Sequence, residues 1–182
     1  MNPSPLTPSE ERLLIAAARV ALQTWVRTSR MPDLELSSAG VTEPGGAFVT
    51  LTAFGQLRGC AGSMSTGRAL YRMVMDLAAA AADDARYGPI EAEELHQARI
   101  EVALIGPLNL VLSPADIRIG ESGLAVQAHP HAVLPPEAAV QNGWSAEDFL
   151  NAICVRADLP ADAWQHGVAV SRFATYPIRE QD

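Results

Sequence analysis

An arginine and a cysteine two residues apart, each beside glycine, carry the most suggestive chemistry in the chain: LRGCAG, Leu57 to Gly62. On an extended strand Arg58 and Cys60 point to one face, about 7 Å apart at the Cα level. Gly59 and Gly62 leave room for a second backbone or a ligand to approach. A guanidinium near a thiol favours the thiolate and so raises its reactivity. One reading is a Cys60 nucleophile, or a ligand-contacting thiol, with Arg58 fixing an anionic group. The other is that Cys60 is a small buried hydrophobe and Arg58 a structural ion-pair partner.

Asp84 and Arg86 lie in a loop downstream, where functional groups often gather. They either bind a polar substrate or brace the loop onto the LRGCAG segment. Glu101 alternates with Ile100 and Val102 in RIEVALI. As a general base it would need burial and a raised pKa; as a structural partner it needs only Arg58 or Arg86 nearby. Arg58, Asp84, Arg86 and Glu101 are expected to converge in space. No nearby histidine is evident to activate Cys60. His96 belongs to an acidic helix surface, and His129 and His131 flank Pro130 in a surface loop. Two histidines without further spaced ligands are a weak metal signal, so no metal site is expected. Neither GxGxxG, Walker nor HExxH spacing occurs, and no cofactor is assigned.

The elements that must position these residues follow from periodicity. Thr7-Pro8-Ser9-Glu10 starts a helix with a capping box; Leu14, Ala18, Ala21 and Trp25 form its apolar face. Residues 32–46 read as a surface loop. FVTLTAF, Gly55-Gln56 and LRGCAG read as a hairpin. After Ser65 and Thr66, a helix carries Leu70, Met73, Val74 and Leu77 on one face. Residues 99–105 form a half-buried strand, with 108–112 expected to pair with it. Residues 123–128 form another strand, and a short helical piece ends near Gly143. Ser145 opens a helix with Phe149, Leu150 and Ile153, and residues 168–176 form a last strand. Helices and strands interleave irregularly, which predicts α+β: a mixed or antiparallel sheet with flanking helices. Trp144 and Trp164 read as core or lobe anchors.

Composition narrows the class. The 182 residues are 48% hydrophobic and 19% charged, sufficient for a packed core. A net charge of −8, from 13 basic and 21 acidic residues, argues against general nucleic-acid binding. Two distant cysteines do not resemble a secreted disulfide scaffold. The N-terminus lacks signal-peptide character, and the alanine-rich stretch near Ala80 is too short to cross a bilayer. A cytoplasmic location, with no membrane association, is expected.

The ordered set of segments resembles the AMMECR family, whose bacterial and archaeal members are called AmmeMemoRadiSam system protein A. FVTLTAFGQLRGCAGSM is similar to the family's signature hairpin, with Ala61 in place of the usual isoleucine. DARYGPIEAEEL matches through Asp84, Arg86 and Pro89, with Tyr87 for phenylalanine. RIEVALI, the LPPEAAVQNGW stretch ending in Gly143-Trp144, and Cys154, Leu159 and Trp164 follow in order, covering about Leu13 to Phe173. Glu137 stands where glutamine is usual, and HPHAV diverges. The resemblance implies one AMMECR-type domain over residues 1–182 with a larger and a smaller lobe, the helix and loop at 7–46 being a candidate for the smaller. It also implies a modification pathway shared with a Memo-type protein, itself similar to extradiol dioxygenases, and a radical SAM enzyme. The substrate would be a small molecule or an RNA base. Three readings stand: a catalytic or substrate-handling component centred on LRGCAG, a non-catalytic adaptor docking on such partners, and, least favoured, an RNA-binding module.

Overall fold

A computed structural model describes residues 5–64, 67–127 and 131–181. Helix α1, Pro8–Thr28, begins where the capping residues predict. Thr7 accepts from the Glu10 N–H, and the Glu10 carboxylate accepts from the Thr7 N–H at 2.9 Å. The other Glu10 oxygen takes the Gly40 N–H at 2.8 Å and the Ser38 hydroxyl at 3.0 Å. This anchors the expected loop, which contains a short helix, α2, Ala39–Thr42, with Val41 buried. Helix α1 ends at Ser29, whose left-handed φ of 53° lets its N–H cap the Trp25 carbonyl.

Strands β1, Ala47–Ala53, and β2, Gln56–Ser63, form the expected hairpin, but its turn is Phe54-Gly55 rather than Gly55-Gln56. Their φ values are 52° and 74°, the two left-handed residues that a twisted two-residue turn requires. Helix α3, Leu70–Ala82, buries Leu70, Met73, Val74 and Leu77; Ser65 and Thr66 lie outside the described residues. A 3₁₀ turn at Ala92–His96 leads to β3, Arg99–Ile105, which alternates as expected, burying Ile100, Val102 and Leu104.

The chain then enters a second unit with β4, Asn109–Leu110, β5, Gly123–Val126, and β6, Ala132–Leu134. Helices α4, Pro136–Asn142, and α5, Ala146–Arg156, follow, then β7, Val170–Phe173, and finally β8, Thr175–Arg179. Among the described residues, two four-stranded sheets result, ordered β2-β1-β3-β8 and β4-β7-β5-β6. The fold is α+β.

Two pairings differ from expectation. The segment after Pro107 pairs with β7, not β3. The expected single strand at 168–176 is two strands in different sheets. Val170 belongs to the second core and Tyr176 packs against the first, so the two ends of this one stretch serve two cores.

Two compact units result: residues through Leu104 together with those from Tyr176 onward, and Ile105–Thr175. Residues 7–46, the candidate small lobe, therefore lie in the larger unit; the smaller is formed by 105–175. The first core joins α1 and α3 to Val49, Leu51 and the buried face of β3. The second packs Phe149, Leu150 and Ile153 of α5 on Leu124, Val126 and Val170. His129 and Pro130, and Ala128 at the end of the expected strand, lie outside the described residues. Among the described residues, no helix is long and apolar enough to cross a membrane.

Candidate functional site

The site is organised by β2, an edge strand, and by an irregularity within it. Ala53 pairs with Gln56 and Thr52 with Leu57, but Leu51 then pairs with Gly59. Arg58 is the extra residue of a β-bulge. The bulge has a clear physical reason. An unbroken register would place Arg58 opposite fully buried Leu51, on the face covered by α3. With the bulge, Gly59 takes that place. A Cβ built on Gly59 would lie 1.9 Å from the Ala81 carbonyl oxygen, so only glycine allows the end of α3 to sit this close. Gly62 is covered differently: a Cβ there would meet the Phe48 ring at 2.1 Å.

Arg58 is thus aimed at the loop rather than at the thiol. Its Nε and Nη2 donate to the two carboxylate oxygens of Glu94 at 2.7 and 2.9 Å. Nη1 and Nη2 donate to the carbonyls of Tyr87 and Pro89 at 2.8 and 3.1 Å. The guanidinium holds the Glu94 carboxyl down at about 2, with the Glu91 N–H adding to the effect.

Cys60 follows on the opposite face from Gly59, half-buried, across from Thr50. Its sulfur lies 3.5 Å from Thr50 Oγ1. In turn, Thr50 pairs with Glu101 of β3, so Cys60, Thr50 and Glu101 form one cross-strand row. Two rungs separate the thiol from Glu101, about 10 Å at the Cβ level. The Glu101 carboxylate accepts from Arg179 Nε at 2.6 Å.

The backbone of Cys60 is fastened on its open edge. Its N–H donates to Asp84 Oδ2 at 3.0 Å, and its carbonyl accepts from Arg86 Nη2 at 3.3 Å. Two side chains therefore supply what a neighbouring strand would supply. Arg86 also grips both Asp84 oxygens, with Nε to Oδ1 at 3.0 Å and Nη2 to Oδ2 at 2.6 Å. These bonds, with the Cys60 N–H, hold the Asp84 carboxyl down at about 2 although burial pushes it up.

Of the residues expected to meet, Asp84 and Arg86 join at Cys60, while Glu101 stands one strand beyond Thr50. Arg58 pairs with Glu94, and Glu101 with Arg179, rather than with each other. Thr50, Glu94 and Arg179 escaped the sequence reading. Thr50 carried a partial signal as a polar position in the alternation of FVTLTAF, but unbroken counting even from the observed Phe54-Gly55 turn sets it opposite Gly59. The other thiol, Cys154, is fully buried in the second core, and burial raises its pKa. Among the described residues, no group of three or more His, Cys, Asp or Glu side chains is arranged to hold a metal ion.

The model of the AMMECR1 family matches residues 15–177. The chain belongs to the AMMECR1 family. A protein of Aeropyrum pernix is 33% identical over 194 residues, covering 100% of this chain and 84% of its own. An AMMECR1-family likeness of the same order joins it to a protein of Methanothermobacter thermautotrophicus, 37% identical over 175 residues and covering 90% of each. The crystal structure of the uncharacterized protein PH0010 from Pyrococcus horikoshii is similar, with a TM-score of 0.81 at 27% identity. It covers 97% of this chain and 94% of that one.

Proposed function

We propose that this AMMECR1-family chain is a substrate-handling or catalytic component of a cytoplasmic modification pathway shared with a Memo-type protein and a radical SAM enzyme, the system to which the name AmmeMemoRadiSam system protein A refers. Its site is centred on the LRGCAG hairpin, and its substrate is a small molecule or an RNA base. The observation that carries this reading is the setting of Cys60. A half-buried thiol sits on a strand whose open backbone edge is clipped by Asp84 and Arg86, with a hydroxyl 3.5 Å from its sulfur. A thiol held this way does not have to be ordered when a ligand arrives. In this reading Cys60 contacts the substrate as nucleophile or ligand-contacting thiol. Arg86, 63% exposed on its side chain, offers a cation to a polar substrate, and Gly62 makes room for the Phe48 ring. Asp84, Arg58 and Gly59 hold the framework, and Glu101 is a base only for a substrate that spans the row.

The test is the alkylation rate of Cys60 against pH in a Cys154→Ser background. Saturable labelling of the folded protein, with a midpoint below the ~8.5 of an ordinary thiol, supports the reading. Labelling only after unfolding would make the hairpin purely structural.

The adaptor reading rests on a different observation. Phe54 is 65% exposed at the hairpin tip, in a backbone conformation that suits asparagine or glycine better. Loss of association with a Memo-type or radical SAM partner in Phe54→Asn, with Cys60 labelling unchanged, would favour docking over chemistry. RNA binding is the least favoured reading because the net charge is −8.

A further inference from the structure

The second unit carries a groove that the LRGCAG site does not use. The inner stripe of α5 is buried, and its outer stripe runs Asp148, Asn151, Ala152, Val155 and Arg156, at helical spacing. Trp144 and Leu134 stand beside it, and together they line a depression of about 520 Å³, within the range of small-molecule sites. Trp144 is held against Phe149, with ring centroids 6.1 Å apart and planes tilted by 32°. Val155 is 58% exposed on the groove wall, an apolar surface that water covers poorly.

The polar groups here are unbalanced. Trp164 Nε1 donates to Asn151 Oδ1 at 2.8 Å, which fixes the amide and leaves its Nδ2 available as a donor. Among the described residues, neither the Trp144 indole N–H nor the Arg156 guanidinium has a hydrogen-bond or ion-pair partner. The carboxylate in the groove is already satisfied: Asp148 accepts from the Ser145 N–H at 3.0 Å and its hydroxyl at 2.6 Å. It also lies two helical turns from Arg156, about 12 Å along the axis. The Arg156 end therefore offers donors and positive charge beside a flat apolar wall.

We infer that this groove binds a small organic anion with a flat apolar body, an aryl carboxylate, its ring against Trp144 and Val155 and its carboxylate on Arg156 and the Asn151 amide. The inference does not depend on the role proposed for Cys60. It is tested on the full chain with 2-naphthoate as probe, following the side-chain N–H signals of Trp144 and Asn151 by ¹H–¹⁵N correlation. Saturable shifts of both signals are expected. Neutral 2-naphthamide should bind at least tenfold more weakly, and Arg156→Gln should weaken naphthoate by a similar factor while leaving the backbone spectrum folded. Arg156→Lys, which keeps the charge, should fall between the two. Equal binding of acid and amide, or affinity unchanged in Arg156→Gln, overturns the anion subsite. Absence of shifts at both side chains overturns the site itself.

Discussion

Cys60 meets the rest of the protein through its backbone as much as through its sulfur. Asp84 accepts the amide proton and Arg86 donates to the carbonyl, so the clip sets where the thiol stands. Asp84→Asn keeps the shape but loses the charge-assisted bonds to Arg86. The expected outcome is a loss on the order of 1–2 kcal/mol in urea unfolding at pH 7, discounted because Arg86 is largely exposed; an unchanged midpoint would show that the clip contributes nothing. The two glycines separate close approach to backbone from close approach to a ring. Gly59→Ala drives a methyl into the Ala81 carbonyl and is expected to cost about 2–3 kcal/mol. Gly62→Ala meets the Phe48 ring first, a side chain rather than a backbone group, and should cost about 1 kcal/mol. If the order is reversed, α3 does not rest on Gly59 as tightly as the structure indicates.

At the scale of the element, the hairpin is governed by a single extra residue. Counting two-residue periodicity from the turn sets Leu51 opposite Arg58 and Thr50 opposite Gly59. The bulge instead brings Thr50 to Cys60 and turns Arg58 out to Glu94. The motif LRGCAG was legible as a hairpin strand because β-prone runs and a glycine turn are local signals. The bulge was not, since its cause is the distant α3 that occupies one face. The turn carries its own test. Phe54 adopts a φ of 52°, costly for a bulky side chain. Phe54→Asn is expected to raise stability by about 0.5–1 kcal/mol, read as a higher denaturant midpoint. A lower midpoint would mean that the edge-on contact of Phe54 with His96 outweighs the backbone relief.

For the whole molecule, acid is the natural probe. Asp84 and Glu94 titrate at about 2 in the folded chain, below their ordinary values of 3.8 and 4.5. Carboxyls with lowered folded pKa values contribute stability above their unfolded pKa and lose it as pH falls. Stability should therefore be level above about pH 5 and decline from about pH 4.5 towards pH 2. Asp84→Asn should flatten the part of that decline below about pH 4; an unchanged slope would remove Asp84 as a contributor. The two cores invite a second measurement. Leu150→Ala, in the second core, is expected to cost about 2–5 kcal/mol. Hydrogen exchange should show its loosening first within residues 105–175 and only later in β1 to β3. Uniform loosening would indicate that the two cores open as one.

What the sequence by itself determined is whatever rests on neighbours in the chain. The Thr7 capping box, the helix start at Ser145, the apolar faces of α1, α3 and α5, the alternation of Ile100, Val102 and Leu104, and the order of the family's segments all depend on spacings of two to four residues, or on matching in sequence order. The tertiary structure alone decided which sheet each strand joined and which partner each charge found. Residues 168–176 read as one β-prone run, and nothing local says that Val170 and Tyr176 pack on different cores. Arg58 had several carboxylates within plausible reach; its choice of Glu94 over Glu101 follows from a bulge forced by packing. Pairing across a fold is a competition among distant groups for the same donors and the same buried face, and that competition is resolved only when the elements are packed together.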